Sequence, residues 1–423
     1  MNYKKQKLKD GINIHIINTD KFKTNLISVF LTTPLTKEEV TKSALVPMVL
    51  RRGTHSMPTL EEISKTLEEM YGASFDCGID KIGDDQVLKF YIEAINNEYL
   101  PENEDLLSKT INCLLNIVFN PILENGIFNR EYVETEKENL KQIIQGKIDS
   151  KATYAQDRCI EEMYKEEPYG LYKYGYIEEL EKITPENLYQ YYTKLIAECK
   201  IDIFVSGKLD EQKVIEMFSQ NKSISKINSR EPKYIINNGN KLKKQNEINV
   251  VEEHMDVNQG KLVLGLNIED NSKKGKYVGL VYNAILGGIP TSKLFQNVRE
   301  KESLAYTAGS SYARQKNNIF IKCGIEIEKY EKAVEIIKKQ LEDMKKGEFT
   351  QEDINNAKTS IIAGIKFIPD EQDTLVTYYF GQELSEYQMI YEEYENEINK
   401  VNKQDIVEFA NKINIHTIYF LRN

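Results

Sequence analysis

The sequence predicts an α+β fold in two similar halves, each a mainly antiparallel sheet with helices packed on one face. Three observations carry this. Short runs alternate apolar and polar residues, as at Ile12, Ile14 and Ile16, which is the period of a half-buried strand. Longer runs repeat apolar residues every three or four positions, as at Leu107, Ile111, Leu114, Leu115 and Val118, which is one face of a helix. The order strand, helix, glycine turn, helix, two strands, helix then occurs twice along the chain, which reads as an internal duplication of one unit.

The elements follow in order. The strand carrying Ile12, Ile14 and Ile16 ends at the turn Asn18-Thr19-Asp20, and a second runs through Leu26, Ile27, Val29 and Phe30. Thr36 with Glu39 reads as a capping box, so a helix is expected from Lys37, carrying Ala44 to Leu50 and stopping before Gly53-Thr54. Thr59 with Glu62 reads as a second box, opening a helix with Ile63, Leu67 and Met70 on one face. Strands are expected at 73–79 and 86–94, then the helix through Leu107 and Val118, then a long polar helix over 130–145. Thr184-Pro185 places a cap and an N1 proline in the right order for another helix, and a strand at 200–206 ends at Gly207.

Residues 219–248 are polar, rich in Asn and Lys, and without periodicity, so they read as a linker with solvated charges. The expected domains are 1–218 and 249–423, both α+β. The second half offers a strand at 261–266, a helix ending at Gly287-Gly288 and a helix through Leu294, Phe295 and Val298. Strands at 306–313 and 318–325 follow. A helix with Tyr330, Ala333, Val334, Ile337, Leu341 and Met344 on one face is stopped by Gly347.

Composition excludes several functions. The 423 residues are 40% hydrophobic, enough for a real core. Fifty-six basic against 66 acidic residues give a net charge of −10, which excludes a general nucleic-acid binder. No apolar run approaches the ~18 residues of a membrane span, and the basic N-terminus lacks the apolar stretch of a signal peptide. Five scattered cysteines form no C-x-x-C pair, so neither a disulfide framework nor a cysteine zinc site is indicated, and a reduced cytoplasm is expected. No two of the four histidines (His15, His55, His254, His416) lie within a helical turn, and each is expected on the surface or on an edge strand. There is no P-loop and no G-x-S-x-G elbow, and the many acidic pairs read as solvated helix faces.

Gly53-Thr54 after a helix, the segment 60–70 and Tyr71-Gly72-Ala73 resemble the N-terminal half of the pitrilysin/insulinase-type zinc peptidases, which include the mitochondrial processing peptidases. LFQNVREKESLAYTAGSSY at 294–312 is similar to that family's signature of an Arg followed seven positions later by a Tyr. With VNQGKLVLGL at 257–266, the resemblance covers nearly the whole chain. LVPMVLRRGT, FNREYVETEKENLKQII and the segment 158–169 are similar to a non-catalytic subgroup from Gram-positive bacteria. Its members carry names linked to elongation-factor P modification and are paired with a metal-bearing sister protein.

Active members carry H-x-x-E-H on the helix before the Gly-Thr turn. Two histidines one turn apart share a zinc ion, and the Glu between them activates water. Counted back from Gly53-Thr54, those positions are Ala44, Pro47 and Met48, and Pro47 is expected to kink the helix. The third ligand aligns near Ile143 when Glu136 is matched to the family's upstream acid, and neither Gln142 nor Ile143 is a strong ligand. The resemblance therefore implies no catalytic residue, metal site or cofactor in this chain, with zinc only in a partner. It also implies a substrate-binding pair, Arg299 and Tyr306, which could donate to a peptide carbonyl or an oxyanion. On spacing alone, Arg299 reads as paired to a nearby Glu and Tyr306 as a packed strand residue.

The expected role is a non-catalytic subunit of a heterodimeric zinc metallopeptidase, forming half of a clam-like chamber. It would lend Arg299 and Tyr306 to a homologous chain bearing H-x-x-E-H. The substrate would be a peptide or unfolded segment bound in extended form, and the isolated chain would pair with itself. Nucleic acid and membrane are not expected partners. The alternative is a non-proteolytic scaffold or peptide-binding protein of the same fold.

Overall fold

The computed structural model describes residues 2–102, 104–236, 242, 247–302, 304–385 and 387–423. The chain forms two compact units, and each borrows a segment from the other's stretch of sequence. Unit 1 comprises Met1–Gln145, Leu171–Ile235 and Pro369–Gly381; unit 2 comprises Gly146–Gly170, Ile236–Ile368 and Gln382–Asn423. Among the described residues no helix is long and apolar enough to cross a membrane.

Unit 1 begins with β1 (Asn2–Lys9), β2 (Ile12–Asn18) and β3 (Thr24–Pro34), then α1 (Val40–Leu50) and α2 (Leu60–Glu69). The hairpin β4 (Ser74–Ile82) and β5 (Asp85–Ile95) leads to α3 (Leu106–Phe119). A short ribbon, β6 (Leu123–Glu124) and β7 (Ile127–Phe128), precedes α4 (Arg130–Gln145). The next helix, α5 (Lys151–Met163), belongs to unit 2. The chain returns through α6 (Ile177–Leu180), α7 (Pro185–Glu198), β8 (Lys200–Gly207), α8 (Glu211–Ser219) and α9 (Lys222–Lys226).

Six strands form one sheet in the order β1-β2-β8-β3-β5-β4, antiparallel except for β2 with β8. Alternate residues of each strand enter the core, as the two-residue period requires: Ile12, Ile14 and Ile16; Ile27, Val29 and Leu31; Leu88, Phe90 and Ile92; Ile201, Ile203 and Val205. They meet the apolar faces of α1, α3 and α7 in a single cluster. The opposite face of this sheet is covered by residues 369–381: Phe380 stacks on Phe30 at 4.0 Å between centroids and meets Phe204 edge-on. Burying each such ring contributes roughly 1.5–3 kcal/mol.

Two local expectations are corrected here. The Thr36–Glu39 capping box does not form, and α1 starts at Val40 with Glu39 as its cap residue and no side-chain cap bond. Glu39 is drawn instead to Lys194 at 2.5 Å, while the Thr36 carbonyl accepts the Val40 amide in a preceding turn. The box at Thr59–Glu62 does form, and Thr184 caps α7 reciprocally with Asn187. Within the stretch 219–248, Ile224 and Ile227 are buried in unit 1, and Lys9 donates to the carbonyls of Ile224, Ser225 and Ile227 at the end of α9. Residues 237–241 and 243–246 of that stretch lie outside the described residues.

Unit 2 contains β9 (Asn249–His254), β10 (Gly260–Ile268), α10 (Lys273–Asn283), β11 (Ala305–Ala313), β12 (Asn318–Ile325) and α11 (Tyr330–Lys346). After α12 (Gln351–Phe367) comes α13 (Gln372–Glu383), most of which serves unit 1; α14 (Tyr391–Lys400), α15 (Lys403–Ala410) and β13 (Ile413–Arg422) complete the unit. The two segments around Gly287 and Val298, expected as helices, are wound as π-helix at 284–288 and 295–301. Helix α11 ends at Gly347, whose φ of +73° is open to glycine at little cost.

The second sheet runs β9-β13-β10-β12-β11, with β9 and β13 parallel and the rest antiparallel. Read against β2-β8-β3-β5-β4, this is the same order with the parallel pair in the same place, so the duplication is topological. Leu262, Leu264 and Leu266 face α10, α11 and α15. The other face packs on α5: Val263, Phe320, Tyr419 and Leu421 meet Ala155, Cys159, Ile160 and Met163. Each sheet thus carries a helix on its far face that comes from the other half of the sequence, α5 in one unit and residues 372–381 of α13 in the other.

Candidate functional site

The positions that the resemblance aligns with the H-x-x-E-H of active peptidases are occupied in unit 1 by core residues. Ala44 and Pro47 on α1 are buried, and Met48 packs partly buried against the same core. The Pro47 carbonyl accepts from the Cys77 thiol on β4 at 3.4 Å. Burial pushes the Cys77 thiol up to about 12, with Arg51 opposing and Asp76 and Glu136 adding to the rise, so no thiolate nucleophile forms at neutral pH. Glu136, on α4, is buried with both oxygens committed: one takes Arg52 Nε and the other takes Asn139 Nδ2 at 3.0 Å. Gln142 and Ile143 point to solvent, Ile143 being 39% exposed. Among the described residues, no three His, Cys, Asp or Glu side chains converge at this corner of α1 and α4. An ion pair and apolar packing occupy the place where the resemblance would put open ligands.

Arg299 and Tyr306 lie on adjoining elements of unit 2. Arg299 is in the last turn of the π-helical segment Phe295–Lys301. Its guanidinium lies over the Phe295 ring, 4.5 Å from the centroid, and its Nε is 3.4 Å from Glu300, which bears out the ordinary pairing to a nearby Glu. The Leu304 amide bonds back to the Val298 carbonyl at 3.1 Å, closing the turn that leads to β11. Tyr306 is not the packed strand residue that spacing suggested. Ala305 pairs with Ile325 and Thr307 with Gly324, leaving Tyr306 as the extra residue of a β-bulge. The bulge re-aims the side chain, which is 66% exposed on an edge strand. An exposed guanidinium on an aromatic face and a free phenol can both donate to a carbonyl or an oxyanion.

The strongest titratable cluster in unit 1 was invisible to motif reading. His15 and His416 are buried on interior strands rather than placed on the surface or an edge. His15 Nε2 is 2.9 Å from Asp202 Oδ1, its Nδ1 is 2.9 Å from the Tyr3 hydroxyl, and its ring stacks on Phe204 at 4.1 Å. Lys200 donates to the other Asp202 oxygen at 2.5 Å. Burial alone would raise the Asp202 carboxyl; the Lys200 ammonium and the bonds from His15 and Lys200 outweigh it and hold the group below the usual carboxylate range. The signal was the charge pattern itself, Lys200 and Asp202 inside the apolar run KIDIFV, since a buried acid requires a partner. His254 and His55, by contrast, are exposed, His254 on the edge strand β9.

Residues 182–361 match the family described as "Peptidase M16 inactive domain". The Bacillus subtilis protein named "Probable inactive metalloprotease YmfF" is 36% identical over 415 residues, covering 97% of this chain and 96% of its own. A Rickettsia felis protein named "Uncharacterized zinc protease" is 26% identical over 322 residues, covering 73% of this chain and 69% of its own. A crystal structure of a conserved protein from Enterococcus faecalis superposes with a TM-score of 0.92 at 29% identity, covering 100% of this chain and 99% of that one.

Proposed function

This chain belongs to the M16 peptidase family as an inactive homologue, and we propose that it serves as the non-catalytic subunit of a heterodimeric zinc metallopeptidase. The partner is a homologous chain with an intact H-x-x-E-H. Arg299 and Tyr306 donate hydrogen bonds to the backbone of an extended peptide or unfolded segment held for the partner's zinc site. The single observation that supports this is the bulge that turns Tyr306 out to solvent on the strand that follows the segment carrying Arg299, while Ala44, Pro47 and Met48 offer no metal ligand on α1. The five cysteines are free thiols, which fits a cytoplasmic setting.

The test is reconstitution with the zinc-bearing partner. Removing one oxyanion-type donor typically costs ~10²-fold in turnover. Arg299→Ala and Tyr306→Phe should each lower kcat/KM of the pair by about tenfold to a hundredfold, with unchanged melting temperature and pair formation. Unchanged turnover in both variants would remove the substrate-binding role and leave a scaffold.

A further inference from the structure

A second surface of unit 2 has the character of a docking site. Between α12 and α14 lies a notch of about 150 Å³, lined by Ile362, Ile365, Lys366, Tyr391, Glu392 and Glu395. A dry cavity of ~150 Å³ accepts benzene, so the notch has room for one large aliphatic or aromatic side chain. The apolar character extends beyond it. Phe367, next in the chain after Lys366, is 68% exposed, and Ile390, just before Tyr391, is 43% exposed. The rim is acidic. Glu395 is neutralised by Lys366 at 3.2 Å, whereas Glu392 and Glu393 have no ion pair among the described residues. Both lie in the first turn of α14.

We propose that this notch docks a basic segment of a partner protein. One large apolar side chain fills the notch, and a lysine or arginine about one helical turn away pairs with Glu392. Charge decides the occupant: a second copy of this chain would bring the same acidic rim and a further net charge of −10. The proposal does not depend on the role of Arg299 and Tyr306.

The probe is a fluorescein-labelled amphipathic leucine–lysine peptide, with a leucine–glutamate peptide of equal length as its counterpart. Anisotropy with the full chain should show binding of the lysine peptide and none of the glutamate peptide. Ile365→Asp, Phe367→Glu and Glu392→Lys should each weaken binding about tenfold, while Lys65→Ala, at an exposed position of α2 in unit 1, binds as the wild type. Phe367 and Glu392 are exposed, so circular dichroism and melting of their variants should be unchanged, whereas Ile365 packs against the core and its variant is read only alongside them; the milder Glu392→Gln should weaken binding less than Glu392→Lys. The proposal is overturned if the lysine peptide does not bind, if both peptides bind equally, or if the notch variants bind like the wild type. It is equally overturned if Lys65→Ala abolishes binding, or if sedimentation shows a dimer that Phe367→Glu dissociates, which would make the occupant a second copy.

Discussion

A carboxylate inside a sheet stays charged only when its partners outweigh the loss of water. Asp202 meets that condition through Lys200, His15 and Asn13, all within 3.1 Å of its oxygens. Its folded pKa lies below the ordinary value. The sign follows: a depressed acid contributes stability that is complete above its unfolded pKa of ~3.9 and lost as pH falls toward the lower folded value. Acid unfolding of the wild type should therefore steepen below about pH 4. Asp202→Asn should flatten that dependence. The variant should also lose about 3–5 kcal/mol at neutral pH, because the buried carboxylate that both Lys200 and His15 engage is lost. Denaturant titration across pH 2–7 reads both effects, and an unchanged acid limb in the variant would contradict the assignment.

At the scale of elements, turns explain what the motifs only marked. Gly53 ends the α1 segment where a Cβ would lie 2.2 Å from the Pro58 backbone carbonyl, a clash that no rotamer relieves. That close approach lets Thr54 accept the Met57 amide on its hydroxyl and donate its own amide to the Met57 carbonyl at 2.7 Å. Gly53→Ala should cost about 1–3 kcal/mol. Gly78→Ala on β4, where nothing lies within 4 Å, should leave the melting temperature unchanged or raise it. Calorimetry of the two variants decides, and equal melting temperatures would contradict the close-packing account of the turn.

Much of the fold was legible because its signals are local. Alternating isoleucines, Thr-x-x-Glu caps and Thr-Pro starts are set by neighbours in sequence, and they place β2, α2, α4, α7 and β8 within a residue or two. Other features depend on distant residues. β1 is lysine-rich and becomes a strand only by pairing with β2. Thr36–Glu39 has the spacing of a cap but loses its acid to Lys194, 155 positions away. The bulge at Tyr306 is a register shift against β12, which no single-strand pattern encodes.

For the whole molecule, the duplicated topology makes its asymmetry interpretable. Two sheets share one strand order, and each takes a far-face helix from the other half of the sequence. On that common frame, unit 1 packs Ala44, Pro47 and Met48, which the resemblance aligns with the H-x-x-E-H motif, into its core and closes Glu136 onto Arg52. In unit 2 the Arg299 guanidinium and the Tyr306 phenol are exposed. The most direct measurement is affinity purification of the tagged chain from its native cells, with the masses of the complex and of the co-purifying chain determined. The account predicts a one-to-one complex with a homologous chain that carries H-x-x-E-H and bound zinc. Recovery of the chain alone, or only as a self-assembled dimer, would contradict it.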